Sequence, residues 1–222
     1  MKLAVFNGSP RGKNSNSAVL IKQFLKGYQA VGSSEVSVSK LSNRKALAEN
    51  LDVAGRAENI IIVFPLYTDC MPGIVMEFFE ALAGEKANEF QRLGFIVHSG
   101  FPESLQSEYV ERYLTKFAKR TGFDYLGTII KGGSEGLRMM PPKMTRKLFS
   151  RFYELGFYFA ENGGFSVEIN KALRNPRRMP GLMRALFPLL SKIGLTNMYW
   201  NMNLKKNNAY AKRYAQPFAE SG

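Results

Sequence analysis

The chain has 222 residues, a length that suits one domain with or without an appendage and that can bury a core. Hydrophobic residues make up 45% and charged residues 22%, as in ordinary globular proteins, and no apolar run is long enough to cross a bilayer. The single cysteine, Cys70, excludes an internal disulfide and a cysteine-ligated zinc site or cluster within one chain, so no metal site is predicted. The N-terminus lacks the pattern of a secretory signal, and we expect a cytoplasmic protein.

The net charge of +13 is concentrated in the C-terminal part of the chain. Residues 131–222 contain 16 Lys and Arg against 5 Asp and Glu. Such an excess suggests an anionic partner: a phosphate-bearing cofactor, nucleic acid or an acidic membrane surface. A solvated basic face without a specific partner explains the same charge equally well.

Hydrophobic periodicity divides residues 2–162 into alternating strands and helices. The strands are predicted at 2–6, 35–41, 59–64, 93–98 and 125–130, and the helices at 17–30, 46–57, 73–82, 104–121 and 143–162. The alternation predicts an α/β fold with a parallel sheet and right-handed crossovers. In the fourth helix, the side chains expected to face inward are Tyr109, Tyr113, Leu114 and Phe117.

The alternation of elements stops near residue 163. Residues 1–163 are therefore predicted to form one domain, and residues 164–222 a basic helical appendage that packs on the domain or on a second subunit. The stretch 182–195 is apolar but is interrupted by Arg184, Pro188 and Lys192. A lid over the site or a dimer contact is thus favoured over a membrane-surface helix. No motif of a known nucleic-acid-binding module is present, which disfavours nucleic acid as the partner.

Four loops should share one edge of the sheet, because the carboxyl ends of parallel strands lie together and ligands bind there. The loops that follow strands 1, 3, 4 and 5 read NGSPRGKNSNS (7–17), PLYTDCMPG (65–73), SGFPES (99–104) and KGGSEG (131–136). Each contains glycine and at least one hydroxyl group. We expect the ligand site at this edge.

The first loop combines a sharp exit at Gly8 with hydroxyl and amide donors and the free N–H groups of the helix that follows, an arrangement suited to phosphate. The same Ser and Asn residues are also ordinary helix caps. The pattern differs from a triphosphate-binding loop, since three residues separate Gly8 from Gly12 and Asn14 follows Lys13 where a hydroxyl would bind magnesium. The loop is therefore predicted to hold a single phosphomonoester.

The pairing of GSPR and its Ser/Asn run with PLYTDCMPG resembles the NAD(P)H-dependent FMN reductases of the flavodoxin-like superfamily, over residues 1 to roughly 135. The resemblance implies a three-layer α/β/α fold with a five-stranded parallel sheet in the order 2-1-3-4-5 and FMN as cofactor. The residues that it places around the phosphate are Ser9, Arg11, Asn14, Ser15, Asn16 and Ser17. Those that it places along the isoalloxazine ring are Pro65, Leu66, Tyr67, Thr68 and Asp69 on one side and Ser99, Gly100 and Phe101 on the other.

The activity implied by the resemblance is transfer of hydride from NADPH or NADH through FMN to a small acceptor: a quinone, a nitro or azo compound, a metal ion or a flavin. This chemistry belongs mostly to the cofactor, so no catalytic acid or base is assigned. A homodimer or higher oligomer is also implied. The alternatives are a flavin-binding electron carrier without NAD(P)H activity and a non-enzymatic anion- or membrane-binding module formed by residues 171–213.

Three further features remain open at this point. Cys70 is expected to be a small buried thiol, with a position near the flavin as the alternative. His98, the only histidine, is either a hydrogen-bonded structural residue or a donor to substrate. The cluster of Arg174, Arg177 and Arg178 could bind the phosphates of NADPH.

Overall fold

The computed structural model describes residues 2–32, 35–85, 87–88, 90–192 and 197–216. Five strands form one parallel sheet in the order β2-β1-β3-β4-β5, which confirms the predicted topology. The strands are β1 (Leu3–Asn7), β2 (Val36–Lys40), β3 (Asn59–Pro65), β4 (Arg92–His98) and β5 (Asp124–Lys131).

The predicted helices are also present, with ends that differ from the predicted ones by a few residues. The described helices are α1 (Asn16–Gln29), α2 (Leu47–Gly55), α3 (Gly73–Gly84), α4 (Ser107–Arg120), α5 (Pro142–Asn162), α6 (Val167–Arg174), α7 (Gly181–Lys192) and α8 (Met198–Lys206).

Two apolar cores cover the two faces of the sheet and give three layers. On one face, Phe78 of α3 and Leu114 of α4 pack over alternate residues of the central strands. On the other face, Phe24 of α1 and Phe152 and Phe159 of α5 do the same. Every residue of β1 and β3 is buried, as the continuous β-branched run predicts for strands covered on both sides.

Helix α4 turns only part of the predicted face to the core, since Leu114 and Phe117 face inward as predicted and the two tyrosines do not. Its buried apolar positions are Val110, Leu114 and Ala118, which recur at the spacing of one helix face, and Phe117 is partly buried beside them. Tyr109 and Tyr113 are exposed, so the expectation that they face inward was wrong. The aliphatic stripe takes the core because a tyrosine can keep its hydroxyl in water while its ring rests on the surface.

Helices α1 and α5 touch backbone to backbone where two glycines meet. A Cβ atom added at Gly27 would lie 1.8 Å from the carbonyl oxygen of Tyr153, and one added at Gly156 would lie 1.9 Å from that of Phe24. Both distances are far inside van der Waals contact. Glycine is therefore required at both positions for this crossing, which holds α1 against α5 near the C-terminus of α1.

The chain divides into two compact units, Met1–Arg178 and Met179–Gly222. Helix α6 belongs to the first unit, where it contacts β5 and α5. The second unit contains α7 and α8. The predicted division into a domain that ends at residue 163 and an appendage stays a prediction.

Replacing Gly156 by alanine should force α1 and α5 apart, and we expect the free energy of unfolding to fall by about 3 kcal/mol. Urea denaturation followed by circular dichroism measures this change. Gly55→Ala in α2 is the matched control, because an added Cβ there meets nothing within 4 Å. It should leave stability unchanged or raise it by up to about 1 kcal/mol. Equal effects of the two substitutions would contradict the close crossing.

Candidate functional site

The sheet register brings the four loops to one edge. Asn7 pairs with Val63, Pro65 pairs with His98, and His98 pairs with Lys131. These pairs lie at the carboxyl ends of β1, β3, β4 and β5, so the loops that follow start side by side. The predicted common edge is confirmed.

Hydrogen bonds then join three of the loops directly. The Asn16 side-chain amide donates to the carbonyl oxygen of Ser134 at 2.7 Å, which connects the start of α1 to the loop after β5. The Gly133 N–H donates to the carbonyl oxygen of Phe101, which connects that loop to the one after β4. A Cβ at Gly132 would lie 2.8 Å from the same Phe101 oxygen, so these two loops pack too closely for any larger residue.

A directed chain of hydrogen bonds runs through His98. The Ser134 hydroxyl donates to the carbonyl oxygen of Ser99 at 2.9 Å, so it accepts from Nδ1 of His98, which lies 2.9 Å away. The proton of the neutral ring is therefore on Nδ1, and Nε2 accepts from the Ser17 hydroxyl at 2.7 Å. The order Ser17, His98, Ser134, Ser99 links α1 to the ends of β4 and β5.

Burial keeps this imidazole neutral. Desolvation lowers the pKa of His98 from 6.5 to about 4, and only 4% of the residue is exposed. Of the two roles left open by the sequence, the structure supports the hydrogen-bonded structural histidine. The residue is too deep to donate to a substrate at the rim.

The hydroxyl groups of Ser15 and Ser17 both serve the fold. Ser15 is the N-cap of α1: its Oγ accepts from the N–H of Ala18 and donates to the carbonyl oxygen of Gly12 at 2.6 Å. Ser17 is fully buried and donates to His98. Either residue can offer a backbone N–H to an anion, but a change to its side chain would disturb the loop itself.

Sequence reasoning missed Asn7, the residue that shapes the first loop. Its amide nitrogen donates to the carbonyl oxygen of Gly12 and to the hydroxyl of Ser15, and its amide oxygen accepts from the N–H of Ser9. Asn7 is buried, and these bonds fold the loop back over the end of β1. An asparagine that directly follows a buried strand and precedes glycine was the available signal.

The remaining predicted phosphate residues surround the first turn of α1. Arg11 and Asn14 are exposed, Ser9 is buried, and Asn16 is half-buried. The first-turn N–H groups of a helix have no intrahelical acceptor, and the helix dipole is positive there. The geometry suits a small anion, and the roles of these side chains in holding one stay predictions.

The loop after β3 contains a strained two-residue turn. Tyr67 and Cys70 exchange backbone hydrogen bonds of 2.8 and 3.0 Å across Thr68 and Asp69, whose φ angles are 47° and 62°. Aspartate tolerates this left-handed region, whereas a β-branched threonine does so at a cost of about 1–3 kcal/mol. Strain of this kind persists at ligand sites, which makes the turn a candidate contact surface.

The expectation of a buried Cys70 thiol was wrong, because Cys70 is exposed. It closes the turn with its backbone and leaves its side chain in solvent.

The rings of Tyr67 and Phe101 are exposed on neighbouring loops, while Pro65, Leu66 and Ser99 are buried. Gly100, Thr68 and Asp69 are exposed.

A basic cleft of about 710 Å³ opens beside the first loop. Arg138, Lys143 and Arg146 supply its charge, and Leu137, Met140 and Phe149 are among its apolar lining residues. Arg138 also donates to the carbonyl oxygen of Asn14 at 2.6 Å, which ties the cleft to the phosphate loop. These cations lie within nine residues of one another in the sequence, but only the fold shows that they line a cleft with Val19 of α1.

Another cavity, of about 800 Å³, lies at the opposite edge of the sheet. It borders the amino ends of β4 and β5, with Arg92 and Asp124 in its lining, and its charges have mixed sign. The loops that bear the predicted site residues are all at the other edge, so this cavity is not part of the candidate site.

Two of the three clustered arginines are already paired. Arg174 makes a two-point ion pair with Glu111 of α4, and Arg177 makes one with Glu108. The hydrogen bond from Arg177 lowers the pKa of the Glu108 carboxyl. Their role as phosphate ligands stays untested, but both guanidinium groups are occupied; among the described residues, Arg178 has no carboxylate partner.

Comparison with known protein families agrees with this architecture. The family described as "Flavodoxin-like fold" matches residues 1–148, more than half of the chain. The chain belongs to this family. The flavodoxin-like assignment made from the two loop motifs is thus confirmed, and no curated protein matches the sequence significantly.

Solved structures show the same fold at low sequence identity. An FMN-dependent NADH-azoreductase from Bacillus anthracis, in complex with FMN, has 15% identity, a TM-score of 0.55, and coverage of 72% of this chain and 100% of its own. An NADPH-quinone reductase from P. pentosaceus has 16% identity and a TM-score of 0.56, and the match covers 73% of this chain and 99% of the reductase. An NAD(P)H:quinone oxidoreductase from Methanothermobacter marburgensis has 14% identity, a TM-score of 0.56, and coverage of 72% and 96%.

The buried imidazole of this flavodoxin-like chain should make stability depend on pH. Between pH 6.5 and about 4, His98 is protonated in the unfolded chain but neutral in the folded one. The free energy of unfolding should therefore decrease by about 3 kcal/mol as the pH is lowered from 6.5 to about 4. Above pH 6.5 the contribution is fully present. Urea denaturation at a series of pH values measures the slope, and His98→Asn should remove it.

Proton NMR of the wild-type chain tests the same point without a substitution. His98 is the only histidine, so its ring resonances titrate alone. A midpoint near pH 6.5 would contradict the buried hydrogen-bond chain.

Proposed function

We propose that this flavodoxin-like chain is an FMN-dependent NAD(P)H oxidoreductase that reduces a small acceptor. The observation that carries the proposal is the joint placement, at one edge of the sheet, of a helix N-terminus shaped for phosphate and two exposed aromatic rings on neighbouring loops. The printed names of the similar structures, an azoreductase solved with FMN and two quinone reductases, support it.

The residues at this edge fit FMN. The first-turn N–H groups of Asn16 and Ser17 and the exposed cation Arg11 would hold the phosphate. Ser9, Asn14 and Ser15 complete the loop around it. A phosphomonoester can be held by these groups without a metal ion. Strand β3 accordingly ends in Phe64 and Pro65, where a magnesium-dependent triphosphate site would have an acidic residue.

The two aromatic loops would hold the isoalloxazine ring. Pro65, Leu66 and Tyr67 would form one wall, and the segment 99–101 would form the other. The hydrogen bonds of the turn use the N–H groups of Tyr67 and Cys70, which leaves those of Thr68 and Asp69 to face the ring's polar edge. Such donors stabilise negative charge that develops on the ring.

FMN, when bound, supplies the redox chemistry by accepting a hydride and passing electrons on. The chain's own residues bind and orient the cofactor and exclude water from one of its faces. No proton-transfer residue is assigned, since the one histidine is neutral and buried. The acceptor is a quinone, a nitro or azo compound, a metal ion or a flavin; an electron carrier without NAD(P)H activity is the alternative.

NADPH is the donor that the charges favour. The cleft lined by Arg138, Lys143 and Arg146 adjoins the first loop and combines cations with an apolar floor, as the phosphorylated adenosine end of NADPH requires. The predicted homodimer rests on the sequence resemblance, and the predicted cytoplasmic location rests on the N-terminal sequence; both remain part of the proposal.

Reversal of charge at Arg11 should weaken FMN binding. We expect the purified chain to take up FMN with a flavin absorbance spectrum, and Arg11→Glu to raise the dissociation constant about tenfold or more through repulsion of the phosphate. Lys26→Glu makes the same change of charge at the far end of α1, about 15 Å away, and should leave binding unchanged. Failure of the wild-type chain to take up FMN would contradict the proposed function.

Removal of a cleft cation should change the donor preference. We expect NADPH to bleach the bound flavin in anaerobic stopped-flow experiments, and Arg146→Gln to raise the KM for NADPH about tenfold while that for NADH stays constant. Lys147→Gln is the control, since the neighbouring Lys147 is exposed but does not line the cleft. Absence of flavin reduction by both donors would favour the electron carrier.

A further inference from the structure

The second compact unit has a one-sided charge composition. Residues 179–216, which we call the C-terminal basic segment, contain six cations and no aspartate or glutamate. The cations are Arg184, Lys192, Lys205, Lys206, Lys212 and Arg213. Nothing within the segment can neutralise them.

Helix α7 of this segment exposes its apolar side chains. None of its residues is buried, and 75% of Leu182 and 59% of Leu189 are exposed. Leu182, Leu186 and Leu189 recur at i, i+4 and i+7, the spacing of one helix face. Met183 and Phe187 are exposed as well. The helix therefore carries an apolar stripe, a type of surface that marks an interaction site.

Exposed aromatic residues also occur in the part of the segment that follows α7. Trp200 is 64% exposed, and Tyr214 is exposed too. Arg213 lies over the ring of Tyr210, with 4.1 Å between the guanidinium carbon and the ring centroid. Tryptophan and tyrosine with adjacent cations are typical of the boundary between lipid headgroups and acyl chains.

From these features we propose that the C-terminal basic segment binds the surface of an anionic lipid bilayer, with the apolar stripe of α7 buried at the headgroup boundary. An interfacial helix needs both an apolar face and cations for acidic headgroups, and each cation near such a surface contributes about 1 kcal/mol. The segment has both. Among the described residues, no helix meets the length and hydropathy that a membrane-spanning segment needs.

Charge argues against a second copy of the chain as the partner. Residues 1–178 contain 25 Lys and Arg against 17 Asp and Glu, so the first unit also has a net positive charge. The first unit of another copy would therefore repel the C-terminal basic segment. An RNA would use the cations but not the stripe of Leu, Met and Phe. An anionic bilayer satisfies both parts of the surface.

Vesicle binding tests the proposal with the intact chain. We expect the protein to co-sediment with vesicles of equal parts phosphatidylcholine and phosphatidylglycerol at least tenfold more tightly than with phosphatidylcholine alone, and more weakly at high salt. Trp200 is the only tryptophan, so its fluorescence should shift to the blue on binding. Absence of both signals would overturn the proposal.

Matched variants separate the apolar stripe from charge alone. Leu186→Ser/Phe187→Ser should weaken binding to the anionic vesicles at least tenfold. Tyr109→Ser/Val167→Ser removes two exposed apolar side chains from the first unit and should bind as the wild type does. Equal binding by both variants would show that charge alone acts and would overturn the proposal.

Oligomeric state separates the bilayer from a second copy. A dimer in the wild type that is lost in Leu186→Ser/Phe187→Ser, with vesicle binding retained, would assign the stripe to the second copy and overturn the proposal. FMN uptake by each variant verifies that the first unit is folded. Vesicle binding does not depend on FMN. A chain that binds FMN but not vesicles would contradict only the membrane proposal, and a chain that binds vesicles but not FMN would contradict only the proposed oxidoreductase.

Discussion

One imidazole ring joins the start of α1 to the loops after β4 and β5. His98 accepts from Ser17 in the first turn of α1 and donates to Ser134, whose own hydroxyl donates to the carbonyl of Ser99. The ring can make both bonds in this direction because burial keeps it neutral. The proposed phosphate site consists mainly of backbone N–H groups at the start of that helix. Their position relative to the loops after β4 and β5 depends on this chain of bonds.

The glycine crossing of α1 and α5 constrains the same helix farther along. Gly27 and Gly156 allow the two backbones to touch, so α1 is held near its C-terminus by packing and at its N-terminus by His98. Helix α5 also carries Lys143 and Arg146 of the basic cleft. The proposed phosphate site at the start of α1 and the proposed donor cleft, partly on α5, therefore lie on two helices that pack directly against each other.

Much of the fold and part of the site could be predicted from the sequence. The buried run at residues 59–64 and the alternation of strands and helices are local patterns, and they lead to the parallel sheet and to the edge where the loops meet. The strand order was predicted from the resemblance of the loop motifs to the FMN reductases, and the structure has that order. The site was harder to predict. Ser15 and Ser17 have side chains that cap helices as readily as they bind phosphate, and the structure uses them for a cap and for a bond to His98. Cys70 closes a tight turn formed by Thr68 and Asp69 and is exposed there, which its neighbours in sequence do not signal.

The sequence by itself determined the order of the elements, the parallel sheet and the four loops at its carboxyl edge, because hydrophobic periodicity and turn residues act over short stretches. Only the tertiary structure decided which cations are free to meet an anion. Arg174 and Arg177 are paired with Glu111 and Glu108, which lie 63 and 69 positions earlier in the chain, whereas Arg138 and Arg146 line an open cleft. A charge is available only when no opposite charge folds against it, and that depends on contacts between residues far apart in the sequence.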